Sequence, residues 1–361
     1  MLSERASSVI ASGEEERCFS VPGLKLWSVL CLGALILCAT VVVQVEGRQR
    51  STAAGVVGRR AGAGETLSVH APVPEQRPGA VGAAQFQRIE EKRGEICAEY
   101  GCRNFNNDSL RAGLTISTRE LVRYLQGYGY FPSELESLTQ WQKKALDEAY
   151  RYAVQNRQSQ QDLNRAGAAI KAEYRAKYRS FLTSRGFTIL PGNTLSADLP
   201  GIAGRNVKEL RPMAQALGAI AEKNGYDSSE VIGAALSLVQ TAFRYEAVPM
   251  VIDGRQTGGI YPPLEAVAKG KGDCDTKSVL LAALLMNWNK VKLVGIGVPD
   301  HYLMGVLRNP GKGDAYVEYQ GLRYVLMEPS GPAWLPPGMV GPTTTALLNS
   351  GAGMAVEPFT N

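Results

Sequence analysis

The feature that most constrains this chain is the run Gly272-Asp273-Cys274-Asp275-Thr276-Lys277, continued by Ser278-Val279-Leu280-Leu281-Ala282-Ala283-Leu284-Leu285-Met286. A helix over these apolar residues carries no polar stripe, so it is buried on most sides and the rest of the fold must wrap it. The preceding Ala268-Lys269-Gly270-Lys271-Gly272 is glycine-rich and reads as a loop. Cys274 therefore falls where a loop becomes a buried helix. There a thiol meets unpaired backbone N–H groups and the positive end of the helix dipole, both of which favour the thiolate. Asp273 and Asp275 flank it and oppose ionisation unless they cap the helix, point away or bind a cation. The competing reading is a small buried hydrophobe with no chemistry.

A cysteine nucleophile needs a base within hydrogen-bond reach and a third group to orient the base. The chain has two histidines, His70 and His301. His70 lies in a Gly/Ala/Pro-rich stretch expected to be disordered. His301 follows Gly297-Val298-Pro299-Asp300 and opens the apolar run Tyr302-Leu303-Met304-Gly305-Val306-Leu307. His301 is thus the imidazole available to Cys274. Glu328, closing the strand-like Tyr324-Val325-Leu326-Met327 just before Pro329, is the acid that can be held rigidly beside it.

The order of these parts is cysteine at a helix start, histidine opening a strand, and acid ending a later strand. Val239-Gln240-Thr241-Ala242-Phe243-Arg244-Tyr245 and Tyr261-Pro262-Pro263-Leu264-Glu265 precede them. Together they resemble the bacterial transglutaminase-like superfamily, with its papain-like core, over roughly Val207 to Gly341. Glu328 stands where many members carry Asp. The resemblance implies an amide-directed thiol enzyme with a Cys274–His301–Glu328 triad. Cys274 would attack the carbonyl, and His301 would move the proton. Glu328 would support the imidazolium, and the Cys274 N–H would meet the oxyanion. It further suggests Gln240 as a second oxyanion donor. It favours hydrolysis, as a cysteine protease or amidase, over transglutaminase-type transfer to amines. A non-catalytic binding module on a membrane tether is the third possibility. No cofactor is required; calcium held by Asp273 and Asp275 is a possibility that the resemblance raises and that would need further oxygen ligands.

The rest of the chain sets this domain in context. Leu26 to Val43 has no charge and is just long enough to cross a bilayer. A signal peptide is the rival, but no small-x-small cleavage site follows. The expected organisation is a cytoplasmic tail (1–25), a transmembrane anchor (26–45) and a flexible linker (46–87). A helical region (88–205), the transglutaminase-like domain (206–345) and a C-terminal tail (346–361) follow. Helices are expected over Thr118–Gly127, Ser137–Arg157, Gln161–Ser184, Val207–Asn224 and Ser228–Tyr245. After the Cys274 helix the pattern turns strand-like over Val291–Val298, Tyr302–Leu307, Tyr316–Tyr319 and Leu322–Met327. Asn309-Pro310-Gly311 and Gln320-Gly321 are the turn signals. Short links make an antiparallel meander on which the buried helix packs, an α+β arrangement.

Charges flanking the span are nearly balanced, so the positive-inside rule does not orient it. Cys97 and Cys102 are expected to form a small disulfide, which puts the C-terminal bulk in an oxidising compartment. That yields a single-pass inner-membrane protein facing the periplasm, acting on protein or peptide substrate in the cell envelope. From Arg103 to Gly186 there are 14 Lys/Arg against 8 Asp/Glu, so the positive excess sits in the helical region. A solvated helix surface accounts for it; contact with anionic lipid or cell-wall polymer is the alternative. No nucleic-acid motif is present, and no nucleic-acid partner is expected.

Overall fold

The structure, a computed structural model, describes residues 67–72, 85–331, 334–351 and 353–359. All of them fall in one compact unit. The 26–45 span and most of the 46–87 stretch lie outside the described residues. Among the described residues no helix is long and apolar enough to cross a membrane.

Strand β1 (Leu67–His70) is followed by a three-stranded antiparallel sheet of β2 (Phe86–Lys92), β3 (Glu95–Arg103) and β4 (Ser109–Ser117). The β2–β3 turn is Arg93-Gly94, both with positive φ (55° and 78°), the geometry of a type I′ hairpin. Ser117 ends β4 and caps α1 (Thr118–Leu125) in a reciprocal capping box with Glu120. Two long helices, α2 (Pro132–Gln155) and α3 (Gln160–Ser184), pair as a hairpin, and β5 (Phe187–Leu190) with β6 (Thr194–Ala197) leads into α4 (Leu199–Arg205).

Next come α5 (Arg211–Asn224), closed by Gly225 in the left-handed region at φ 69°, and α6 (Ser228–Ala242), capped by Asp227. The short strands β7 (Arg244–Tyr245), β8 (Val251–Ile252) and β9 (Arg255–Gln256) precede α7 (Pro263–Lys269) and β10 (Lys271–Gly272). Then follow α8 (Cys274–Leu285), β11 (Leu293–Val298), β12 (His301–Leu307), β13 (Tyr316–Tyr319) and β14 (Leu322–Met327). The last elements are α9 (Pro342–Asn349) and β15 (Ala355–Phe359).

The protein is α+β. Its main sheet has the order β1-β13-β14-β12-β11-β15 and every neighbouring pair is antiparallel. Side chains alternate across it. Tyr302, Met304 and Val306 of β12 join the core that contains α8, whereas Leu303 joins Val294, Ile296, Leu326 and Leu348 on the other face. Every residue of α8 is buried except Asp275, the all-round burial that its composition demands. Tyr302 reaches across β11, where a Cβ at Gly295 would collide with its hydroxyl.

Several expectations are corrected. Residues 46–87 are not all linker: Leu67–His70 pairs with β13, and Phe86-Gln87 begins β2. His70 is therefore ordered, its ring tilted against that of Tyr316 with centroids 5.1 Å apart, in a strand three places from β12. The 88–205 region opens with strands before its helices, and Tyr100 of β3 stacks on Phe243 at 4.1 Å, so it is packed into the cysteine-bearing part. The 346–361 tail supplies the end of α9 and an edge strand. The helix expected from Ser137 starts at Pro132, with Phe131 as its N-cap.

Cys97 and Cys102 are not bonded to each other; both are free thiols. They lie in one continuous strand, β3. Five residues of extended chain separate their Cα atoms by roughly 16 Å, far beyond the roughly 7 Å limit for a disulfide. An odd offset also sends the two side chains to opposite faces: Cys97 is exposed and Cys102 buried. The argument for an oxidising compartment goes with the disulfide.

Candidate functional site

Cys274 is the first residue of α8, and Asp273 is its N-cap. Asp273 Oδ1 accepts from Thr276 N–H at 3.0 Å, and Oδ2 accepts from Val248 N–H at 3.4 Å. Both oxygens are thus engaged by backbone amides. Among the described residues no group of three or more His, Cys, Asp or Glu side chains is arranged to hold a metal. The Asp273/Asp275 calcium idea therefore draws no support from the site, because one of its two acids is a helix cap.

The Cys274 thiol donates to Asp275 Oδ1 at 3.7 Å, and the backbone N–H of Tyr302 is near enough to favour its ionised form. That amide is free for a topological reason. β12 pairs with β14 only from Met304↔Met327 onward, so at Tyr302 the chain of β14 has already turned away. The thiol sits at this open end of the sheet. Burial, then Asp275 and Asp273, push the thiol well above its usual range, so it rests as neutral S–H. Cys274 is only 1% exposed. Tyr245 is the exposed member of the neighbourhood. It is held beside the loop by the Gly272↔Tyr245 pairing, and its phenol is pushed up to about 12 by burial and then by Cys274, Asp273 and Asp275.

His301 opens β12 directly after the two-residue Pro299-Asp300 turn, with Asp300 at φ 57°. Proline fixes the first position and Asp tolerates the left-handed second, so the turn sets the strand register at His301. Its Nε2 lies 2.7 Å from Glu328 Oε1. A carboxylate there makes Nε2 the protonated nitrogen and leaves Nδ1 as the basic one. Glu328, immediately after β14, also accepts from Gly341 N–H (2.8 Å), Thr344 Oγ1 (2.8 Å) and Ser330 Oγ (3.4 Å). Burial opposes its ionisation, but the His301 contact, the Gly341 amide and the Thr344 hydroxyl outweigh it and hold the carboxyl below its usual value.

Two of the three expected groups are therefore in contact, His301 with Glu328. The third, Cys274, has its ionisation favoured by the main-chain amide of the residue after His301. Among the described residues the thiol and the imidazole share no hydrogen bond. Strand alternation places the Tyr302 ring on the α8 face, with Cys274, and the His301 ring on the other, so thiol and imidazole are not brought together on one face of the sheet.

Gln240 is placed differently from its expected role. It is 1% exposed, and its Nε2 donates to Glu328 C=O (2.7 Å) and Leu335 C=O (3.4 Å) while its Oε1 accepts from Leu335 N–H (2.8 Å). Its amide is consumed in tying α6 to the chain beyond β14 and is not an oxyanion donor. Thr344 and Gly341 were not legible, because their segment has no pattern. Lys277 was legible in principle: a lone cation in a helix without a polar face must be buried with partners. It is 1% exposed and donates to Gln240 C=O (3.2 Å), Phe243 C=O (2.8 Å) and Ser330 C=O (2.8 Å), and burial pulls its amine down to about 7.

A cavity of about 410 Å³ between Val122, Phe131, Glu134, Arg185 and Arg255 shares no lining residue with the Cys274 cluster. Comparisons with protein-family models, curated proteins and solved structures gave no match.

Proposed function

We propose that this chain is a thiol-dependent enzyme of amide bonds, with a papain-like arrangement in which Cys274 is the nucleophile, His301 the base and Glu328 the orienting acid. The observation that carries the reading is the His301–Glu328 pair. A buried carboxylate with four hydrogen bonds fixes Nε2 as donor and leaves Nδ1 basic. The amide of the next residue favours the ionised form of the thiol. Because the resting thiol is neutral, the mechanism begins with proton transfer from Sγ to Nδ1, for which the imidazole and thiol must close together. The thiolate then attacks the amide carbonyl, the imidazolium returns the proton to the leaving amine, and an acyl-thioester remains. Amides of the first turn of α8, the Cys274 N–H first, are the donors for the oxyanion.

Water resolving the acyl-enzyme gives a peptidase or amidase; an amine gives crosslinking. Hydrolysis of protein or peptide substrate is the reading proposed, since no residue of the site is committed to an amine acceptor. To test it, the full-length chain is incubated with a protein extract and a labelled primary amine. New N-termini with little label identify hydrolysis. Label on glutamine with chain lengths unchanged identifies transfer. Either activity surviving in Cys274→Ala overturns the mechanism. If neither activity appears, and Cys274 is inert to alkylation in the folded protein, the buried thiol is structural and the domain is a binding module.

A further inference from the structure

The ammonium of Lys277 has no assigned part in that chemistry, yet it is buried in the core at 1% exposure. An ammonium moved out of water costs several kcal/mol unless good partners replace the solvent. Here the partners are three carbonyls and, among the described residues, no carboxylate pairs with it. Gln240 C=O and Phe243 C=O belong to the C-terminal end of α6, where unpaired carbonyls concentrate and the helix dipole favours a cation. The third, Ser330 C=O, belongs to the turn that carries the acid. Gln240 grips the same turn at Glu328 C=O. Between them stands Pro329, which has no N–H to give to any ladder. The Glu328-Pro329-Ser330 turn, having left β14, is therefore held at both flanking carbonyls by side chains from α6 and α8. The lysine does this from the third residue after Cys274.

We propose that Lys277 is a positioning residue: it locks the acid-bearing turn to the thiol-bearing helix, so that Glu328, and through it His301, keeps its place relative to Cys274. This rests on the triad reading for its purpose, but not for its measurement. A fourth structural helix contact could be made by methionine or leucine at no desolvation cost. The three N–H donors of an ammonium match three carbonyls that no apolar side chain could satisfy.

The test uses full-length protein with ¹⁵N-labelled imidazoles and follows the Nε2–H proton of His301. That proton is protected by its bond to Glu328, and His70→Gln leaves a single imidazole to observe. The expected result is a resolved proton in the parent, a weakened one in Lys277→Gln, which keeps two donors, and none in Lys277→Met. Turnover should fall about 100-fold in Lys277→Met with KM within about twofold, the size of a misplacement of catalytic groups. Leu182→Ala, in a separate core cluster with Tyr130 and Phe187, should lower stability and leave the proton in place. A Lys277→Met protein that melts earlier but keeps the His301 proton overturns the proposal. So does failure of both Lys277 variants to fold, because the lysine then holds the core and not the site. A parent without enzymatic turnover overturns the triad reading alone, since the proton still reports whether Lys277 positions the turn.

Discussion

Replacing Glu328 by Gln keeps the size of the side chain and changes one acceptor oxygen into a donor. The carboxylate accepts at both oxygens: Oε1 from His301, Thr344 and Ser330, and Oε2 from Gly341 N–H. An amide can serve one side only. With its oxygen towards His301 and Thr344, its NH₂ faces the Gly341 N–H, donor against donor in a buried place; flipped, it confronts the imidazole N–H instead. One buried donor is left without an acceptor either way, at about 1–3 kcal/mol. A unit of this size loses roughly 2–4 °C of melting temperature per kcal/mol, so Glu328→Gln should melt about 2–12 °C lower near neutral pH. The pH dependence fixes the cause. The folded carboxyl titrates below its ordinary value. Its contribution is therefore complete above the ordinary carboxylate range and is lost as pH falls through the folded value. Melting curves of parent and variant, followed by circular dichroism from neutral pH downward, should converge in acid, where the parent too carries a neutral group. A difference that stays constant across that range, or no difference at neutral pH, would refute the account of Glu328 as a buried, ionised acceptor.

Cys274→Ala and His301→Ala should each abolish turnover, whereas Glu328→Gln retains part of it; steady-state rates of the three variants give the order. Alkylation of Cys274 in the folded protein should be slow at neutral pH and stay slow through the ordinary thiol range, rising only above it, since burial and two acids hold the thiol protonated; a rate that rises within the ordinary thiol range, or is fast at neutral pH, counts against that electrostatic picture. Cys97 should react with a thiol reagent without prior reduction and Cys102 only after unfolding, read by peptide mass mapping. Leu281→Ala, in the fully buried α8, should cost about 2–5 kcal/mol in denaturant unfolding.

The parts of the fold that sequence made legible are those in which local chemistry and tertiary role agree. α8 was evident because an apolar helix without a polar side has one possible environment. β11 to β14 were evident because β-branched and aromatic runs are separated by Pro/Gly turn signals. Asp227 and Gly225 marked the ends of α6 and α5 because capping is a backbone requirement that few residues meet. The three-stranded sheet of β2, β3 and β4 was not evident. Its strands carry charges on their exposed positions, and its tightest turn uses Arg93-Gly94 instead of the more common Asn-Gly. The same blindness produced the false disulfide, because cysteine spacing has no meaning until the strand between the two residues is known. β1 and β15 are edge strands whose partners lie more than 200 and about 60 residues away in sequence, and such pairing leaves no local period.

The site divides along the same line. Cysteine, histidine and acid could be named because each occupies the end of an element, where a side chain is held rigidly. The groups that hold them could not, because they are main-chain atoms or come from a distant patternless segment. The Tyr302 amide is available only because β14 departs two residues too early to pair with it. Glu328 is held below its usual value by His301 first and then by Gly341 and Thr344, which α9, 14 residues further on at its start, brings to it. This has a consequence for any fragment study. A piece beginning near Arg88 keeps all three reactive residues but deletes β1, the edge strand on β13, and cuts β2, which seals β3 against α6 and α7. Gln87 alone spans Ala242 C=O and Gly270 C=O, at 3.3 and 2.6 Å, and so joins the end of α6 to the loop just ahead of Cys274. The arrangement of Cys274, His301 and Glu328 belongs to the whole described unit, and the proposed chemistry has to be measured there.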